Sequence, residues 1–304
     1  MTARMDGATL IVKLGAPGDV LRTTPLLRVL TGPVVWVTRP ESASLLPRRP
    51  GLSVITPSEA IRLRGRRFGL ALCLDDEREA AEIAASVRAR RRVGALLSKD
   101  GHVGYTASSR VWFDMGLLSR LGRRRADALK RANVLSYQEH LFRMAGRSFQ
   151  GEDYWIRRPP RRAARGARRV GLETRAGERW PLKVWARYGA LERTLRARGV
   201  ATTRFGWKPD LAAHAAAVDA CDVVVCGDTL TMHLALALHK RVIALFLCTP
   251  PQEIEGYGRL TKIISPFLNR DLYSRRADRG AAGAIPLALV LTETLAALSQ
   301  LPPR

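Results

Sequence analysis

The chain has little cysteine and few acids for its 304 residues. Its four cysteines, Cys73, Cys221, Cys226 and Cys248, are scattered and form no C-x-x-C pair, which argues against a disulfide framework and against a cysteine metal site. Three of them lie inside apolar runs, where a free thiol behaves as a small hydrophobe. No apolar run approaches the roughly 20 residues needed to span a bilayer. The apolar stretch near the N-terminus is too short for a signal peptide and runs straight into a glycine turn, so a cytoplasmic location is expected. Neither G-x-G-x-x-G nor G-x-x-x-x-G-K-[ST] occurs, which removes both common nucleotide fingerprints. Helix-turn-helix, zinc-finger and RNA-recognition signatures are missing too, so no specific nucleic-acid partner is expected.

The shortage of acids sets the charge. Lysine and arginine number 51 against 27 aspartates and glutamates, a net +24. Nearly all the basic residues are arginine, with local clusters at Arg88 to Arg92, Arg123 to Arg125 and Arg157 to Arg169. The bland reading is coding bias; the functional reading is attraction to anions such as nucleic acid, anionic lipid or phosphorylated glycans. A hydrophobic fraction of 46% fits a globular chain rather than a disordered one.

Hydrophobic periodicity divides the chain in two. In the first part strands are expected at Thr9 to Leu14, Val34 to Val37, Phe68 to Leu74 and Val93 to Leu97. Helices are expected at Asp19 to Leu30, Glu77 to Arg88 and Tyr137 to Ala145. The proline-bearing, like-charged stretch from Arg157 to Gly166 cannot pack and reads as a linker. The pattern then restarts, with strands at Arg169 to Leu172, Val200 to Phe205, Asp222 to Cys226 and Val242 to Phe246. Helices are expected at Pro181 to Arg198, Asp210 to Ala220 with Asp210 as N-cap, Thr229 to Leu238 and Pro286 to Leu298. Strands alternating with helices imply parallel sheets. The fold class is therefore α/β: two Rossmann-like domains facing across a cleft, covering 1–158 and 169–304 with a basic linker at 159–168. The last helix is a candidate to pack back on the first domain.

Three segments carry candidate chemistry. In "KLGAPGDVLRTTP", Gly15 and Gly18 permit a sharp turn and close approach of a ligand, and Asp19 stands at the start of a helix. Asp19 is either a plain cap or a general base, flanked by Lys13 and Arg22 to hold an anionic substrate. In "CGDTLTMHLALAL" a strand leads through Gly227 into another helix start, whose free N–H groups and macrodipole suit a phosphate. Asp228 and Thr229 are caps or ligands there, and His233 is either a core histidine or a group reaching back toward the same ligand. In "ETRAGERWPLKVW", Thr174, Arg175 and Arg179 line a loop before Trp180-Pro181, where they could clamp a diphosphate; Trp180 and Trp185 are expected in the core.

Together the three segments resemble glycosyltransferase family 9, the heptosyltransferase-like enzymes of bacterial lipopolysaccharide assembly. "LIVKLGAPGDVLRTTPLLRVL" is similar to the family's N-terminal signature. "ERWPLKVW" resembles its tryptophan-proline motif, and "VDACDVVVCGDTLTMHLALALHKRVIALF" with "EIEGYGR" resembles its donor-binding signature. The likeness runs from about residue 9 to residue 265. It implies a GT-B architecture with an acceptor-binding first domain and a nucleotide-sugar-binding second domain. It implies an inverting, metal-independent transfer of a heptose-like sugar, with no cofactor beyond the nucleotide-sugar donor, ADP-heptose being one candidate. Asp19 would be the catalytic base. Lys13, Gly15, Gly18 and Arg22 would serve the acceptor, an anionic glycolipid or other cell-surface glycan at the inner leaflet. Thr174, Arg179, Lys183, Asp228, Thr229 and His233 would serve the donor.

The chain departs from the family pattern at Glu178-Arg179, where a lysine is usual, at Leu230, where a glycine is usual, and between Val200 and Asp210, which is one βα unit shorter. The alternative is a catalytically degenerate protein of the same fold that binds glycans or nucleotide sugars.

Overall fold

The structure, a computed structural model, describes residues 7–160, 167–208, 210–276 and 278–302. It divides into two compact units that meet in sequence between Arg157 and Arg158. Arg161 to Gly166 of the expected linker lie outside the described residues.

The first unit holds a six-stranded sheet of β1 (Thr9–Val12), β2 (Val34–Val37), β3 (Leu52–Ile55), β4 (Arg67–Cys73), β5 (Arg88–Leu97) and β6 (Val103–Tyr105), in the spatial order β3-β2-β1-β4-β5-β6. All neighbours are parallel except β5 and β6. β1 and β2 are buried at every position, as the continuous apolar runs "TLIV" and "VVWV" require of central parallel strands. Its longer helices are α1 (Pro17–Thr23), α2 (Arg78–Ser86), α3 (Gly122–Ala132) and α4 (Tyr137–Ala145). α4 starts on a capping box between Ser136 and Glu139 and stops at Gly146 in the left-handed conformation, both signals legible in sequence.

The second unit holds a five-stranded parallel sheet of β7 (Arg169–Leu172), β8 (Ala201–Arg204), β9 (Val223–Gly227), β10 (Arg241–Phe246) and β11 (Leu260–Ile264), in the order β11-β10-β9-β7-β8. Its longer helices are α5 (Tyr188–Ala197), α6 (Leu211–Asp219), α7 (Leu230–Ala237) and α8 (Leu287–Ser299). Asp210 caps α6, accepting from the Ala213 amide at 2.7 Å. The main packing partners of α8 are α5, β9 and β10 of this same unit, with Val290, Thr294 and Ala297 buried at helical spacing.

Several expectations need correction. The helix foreseen over Asp19 to Leu30 ends at Thr23 and continues as a 3-10 turn over Thr24–Arg28, because Pro25 brings no N–H to an α-helical ladder. The helix foreseen from Pro181 is a 3-10 turn over Pro181–Lys183, and α5 starts only at Tyr188. Tertiary bonds take the intervening chain: Ala186 donates to the Ala282 carbonyl and the Trp185 indole to the Ile285 carbonyl. Trp185 is in the core, as expected, but Trp180 is only half-buried. By length and composition the 21-residue stretch Arg279–Ser299 is long and apolar enough to cross a membrane, contrary to the expectation that none approaches that length. Residues 283–286 break it into a one-turn helix, Arg279–Ala282, and α8.

Candidate active site

In an open α/β sheet the ligand crevice opens beyond the carboxyl ends of the strands where strand order reverses. In the first unit that point lies between β1 and β4, in the second between β7 and β9. Lys13, Gly15, Gly18, Asp19 and Arg22 gather at the first and Lys183, Asp228, Thr229 and His233 at the second, whereas Thr174 and Arg179 lie on the loop that follows β7.

At the first, β1 delivers Lys13 and β4 delivers Asp75. Both are buried, and the Lys13 ammonium pairs with Asp75 Oδ1 while donating to the Leu74 carbonyl at 3.4 Å. The other Asp75 oxygen accepts from the Leu14 amide and from the Gly15 amide at 3.2 Å. Burial works against the Lys13 charge, but Asp75, then Tyr137 and Asp19, outweigh it, so its pKa lies above the ordinary lysine value. A Cβ on Gly15 would stand 2.9 Å from Asp75 Oδ1 and 3.4 Å from Lys13 Nζ. Gly15 is therefore required by the ion pair under the turn.

The turn leads into α1, where Pro17 opens the helix and Asp19 occupies the first turn, with its amide donating to the Ala16 carbonyl at 2.8 Å. Its carboxylate is about two-fifths exposed, at 38%, and pairs with Arg22 at 3.0 Å. Arg22 in turn lies over the Tyr137 ring at 4.0 Å. Thr23 donates to the Asp19 carbonyl and meets the Tyr137 hydroxyl. Gly18 is buried within α1. Thus Lys13, Gly15, Gly18, Asp19 and Arg22 occupy one short stretch, with a half-exposed carboxylate at its outer edge.

At the second place, β9 delivers Asp228. The Lys183 ammonium lies 3.0 Å from Asp228 Oδ2 and His233 Nε2 lies 3.9 Å from Oδ1. Thr229 is the N-cap residue of α7, yet its side chain makes no cap bond, and its Oγ1 is buried without a hydrogen-bond partner among the described residues. A Cβ on Gly227 would stand 2.4 Å from the Lys183 carbonyl, so that glycine lets the 181–183 turn seat Lys183 against Asp228. Arg179 is exposed, with its guanidinium 5.6 Å from the Trp180 ring centre. Thr174 is half-buried on the loop after β7.

Sequence reading missed the two buried acids that organise these places, Asp75 and Glu173. Glu173 accepts from Thr231 Oγ1 at 2.7 Å and from Arg175, and Thr231 also meets His214 at 2.9 Å. Burial, only partly offset by Glu173, holds the His214 pKa below the ordinary value. Both acids stand one residue past an apolar run at the carboxyl end of a strand, and that placement is a readable signal. Among the described residues no group of three or more His, Cys, Asp or Glu side chains could hold a metal ion. All four cysteines are free and buried.

Residues 178–277 match the model of glycosyltransferase family 9 (heptosyltransferase). No curated protein sequence matches the chain. Among solved structures, a glycosyltransferase family 9 protein from Veillonella parvula is similar at TM-score 0.64 and 16% identity, over 97% of each chain. The E. coli ADP-heptose heptosyltransferase II is similar at TM-score 0.63 and 16% identity, over 96% of this chain and 99% of the other. The E. coli heptosyltransferase WaaC, solved with ADP-2-deoxy-2-fluoro heptose, is similar at TM-score 0.59 and 15% identity, over 96% and 99%. The chain has the two-sheet α/β fold of solved family 9 heptosyltransferases, and its residues 178–277, which include Lys183, Asp228, Thr229 and His233, carry that family's sequence pattern.

Proposed function

We propose that the protein is an inverting glycosyltransferase that moves a heptose-like sugar from a nucleotide-diphosphate donor to an anionic, lipopolysaccharide-type glycan. The observation that carries this reading is the junction of Lys183, Asp228, Thr229 and His233 at the start of α7, inside the segment that matches the family. A helix start beside a lysine is suited to a diphosphate, and a threonine hydroxyl without a partner is suited to one of its oxygens. Solved neighbours carry ADP and an ADP-heptose analogue, so ADP-heptose is the donor of first choice.

In this reading Asp19 is the general base. Its carboxylate takes the proton from an acceptor hydroxyl as that oxygen attacks the anomeric carbon. The bond from that carbon to the diphosphate oxygen breaks on the opposite face, the electron pair leaves with the nucleoside diphosphate, and configuration inverts. A positioned base contributes about 10² to 10⁴ in rate. Charge growing on the leaving diphosphate is met by the α7 amides and Lys183, which is held at Asp228 and needs no reorganisation, and by Arg179, which would swing in from its exposed loop position. No metal is required in this scheme. The excess of basic residues would hold the enzyme at the inner leaflet, each near-surface charge adding about 1 kcal/mol.

Incubation with ADP-heptose and deacylated lipopolysaccharide core tests the proposal: nucleotide release that depends on acceptor supports it. Tight donor binding without release, for any sugar donor, would identify the degenerate binder instead.

A further inference from the structure

The second sheet holds an aromatic side chain that the family-like motifs do not use. Trp207 is 79% exposed on the short loop between β8 and α6. That loop is fixed at both ends. Phe205 is buried, its amide donates to the Leu172 carbonyl, and its ring fills the space beside Gly171, where a Cβ would stand 2.4 Å from the ring. Asp210 caps α6 at the other end. A large indole is thus presented to solvent.

Its position matters more than its exposure. Arg204 of β8 and Val225 of β9 both pair with Leu172 of β7, so the three form one row across the sheet. Trp207, Arg175 and Asp228 each stand three residues beyond that row. The chain therefore leaves the carboxyl edge with an aromatic on one flank and the Asp228–Lys183 pair on the other. The strands that lead to them, β8 and β9, are two spacings apart, on the order of 10 Å. Arg175, whose guanidinium is bonded to Glu173, follows β7, the strand that lies between β8 and β9. A nucleoside diphosphate has the same order of parts: an anion, a sugar about one strand spacing wide, and a flat base.

We infer that Trp207 is the platform on which the donor's nucleobase stacks, with the ribose over the end of β7 and the diphosphate at the start of α7. The inference rests on the donor reading above and adds the element that holds the base. Stacking is tolerant of base identity because every base has a π-face, so this platform supplies affinity for a nucleoside.

The test is calorimetric titration of the full chain with ADP, UDP and inorganic pyrophosphate. Trp207→Ala should weaken ADP and UDP about tenfold, within the range expected for one stacked base. Pyrophosphate binding, which does not reach the platform, should be unchanged and serves as the control for folding. Trp207→Phe should restore most of the loss, and Lys183→Ala should weaken all three ligands. Unchanged nucleotide affinity in Trp207→Ala beside a weakened Lys183→Ala would overturn this inference and leave the donor reading standing. An equal loss of pyrophosphate in Trp207→Ala would also overturn it. A wild-type protein that binds none of the three would overturn both.

Discussion

At the scale of single residues, two glycines and two acids explain more of the site than the polar groups that first draw notice. Gly15 has a Cβ position already filled by the Lys13–Asp75 pair, and Gly227 has one filled by the Lys183 carbonyl. Gly227→Ala should therefore displace the turn that seats Lys183 and weaken pyrophosphate binding at least as much as Lys183→Ala does; calorimetry checks it. Removing one partner of a buried ion pair leaves a charge with no answer, at a cost of about 3–5 kcal/mol. Asp75→Ala should lower stability by that order in urea unfolding, and the Lys13→Met, Asp75→Ala double variant should recover much of the loss. Glycine spacing showed that a turn was needed. It did not show that the space beside Gly15 was taken by an aspartate 60 residues away, because that contact exists only once β1 and β4 lie side by side.

At the scale of elements, buried strands and well-capped helices were legible. β2 and α4 have the bounds their apolar runs and caps suggest, and Asp210 caps α6 as its position implies. What failed were segments whose identity is set by neighbours. β5 starts at Arg88, although periodicity predicts a strand only from Val93 and puts Arg88 at the end of a helix. Its arginines bond to carbonyls at helix ends: Arg91 to Met144 and Ala145 of α4, Arg92 to Ala84 and Val87 at the end of α2. α4 also carries a titratable group. His140 is bonded to Asn133 at 2.8 Å and lies 5.5 Å from the Trp112 ring. Burial, then Lys130 and Arg143, against a smaller opposing effect of Glu139, push its pKa down to about 4. The unfolded chain takes up this proton near pH 6.5 and the folded chain only near 4, so the contribution to stability is complete above 6.5 and is lost as pH falls toward 4. The midpoint of thermal unfolding should drop over that interval, and less steeply in His140→Phe.

At the scale of the whole molecule, the net charge of +24 now has a partial structural account. Besides Arg91 and Arg92, Arg28 bonds to the carbonyls of Asp153 and Tyr154, Arg168 to Leu298 and Leu301, and Arg259 to Leu236. These guanidiniums answer carbonyls that chain turns and helix ends leave open, so only the remaining basic residues are available for anions. Because the scheme assigns the leaving diphosphate to helix amides and side-chain cations, transfer should proceed undiminished in EDTA; a loss restored by added metal would contradict it. The central proposal is that the Asp19 carboxylate at the start of α1 is the base for the sugar transfer. The most direct measurement compares ADP release from ADP-heptose with deacylated lipopolysaccharide core for the wild type and Asp19→Ala, alongside ADP affinity for each. The account predicts a fall in release of about 100-fold or more with ADP affinity unchanged. Release at the wild-type rate in Asp19→Ala would contradict it.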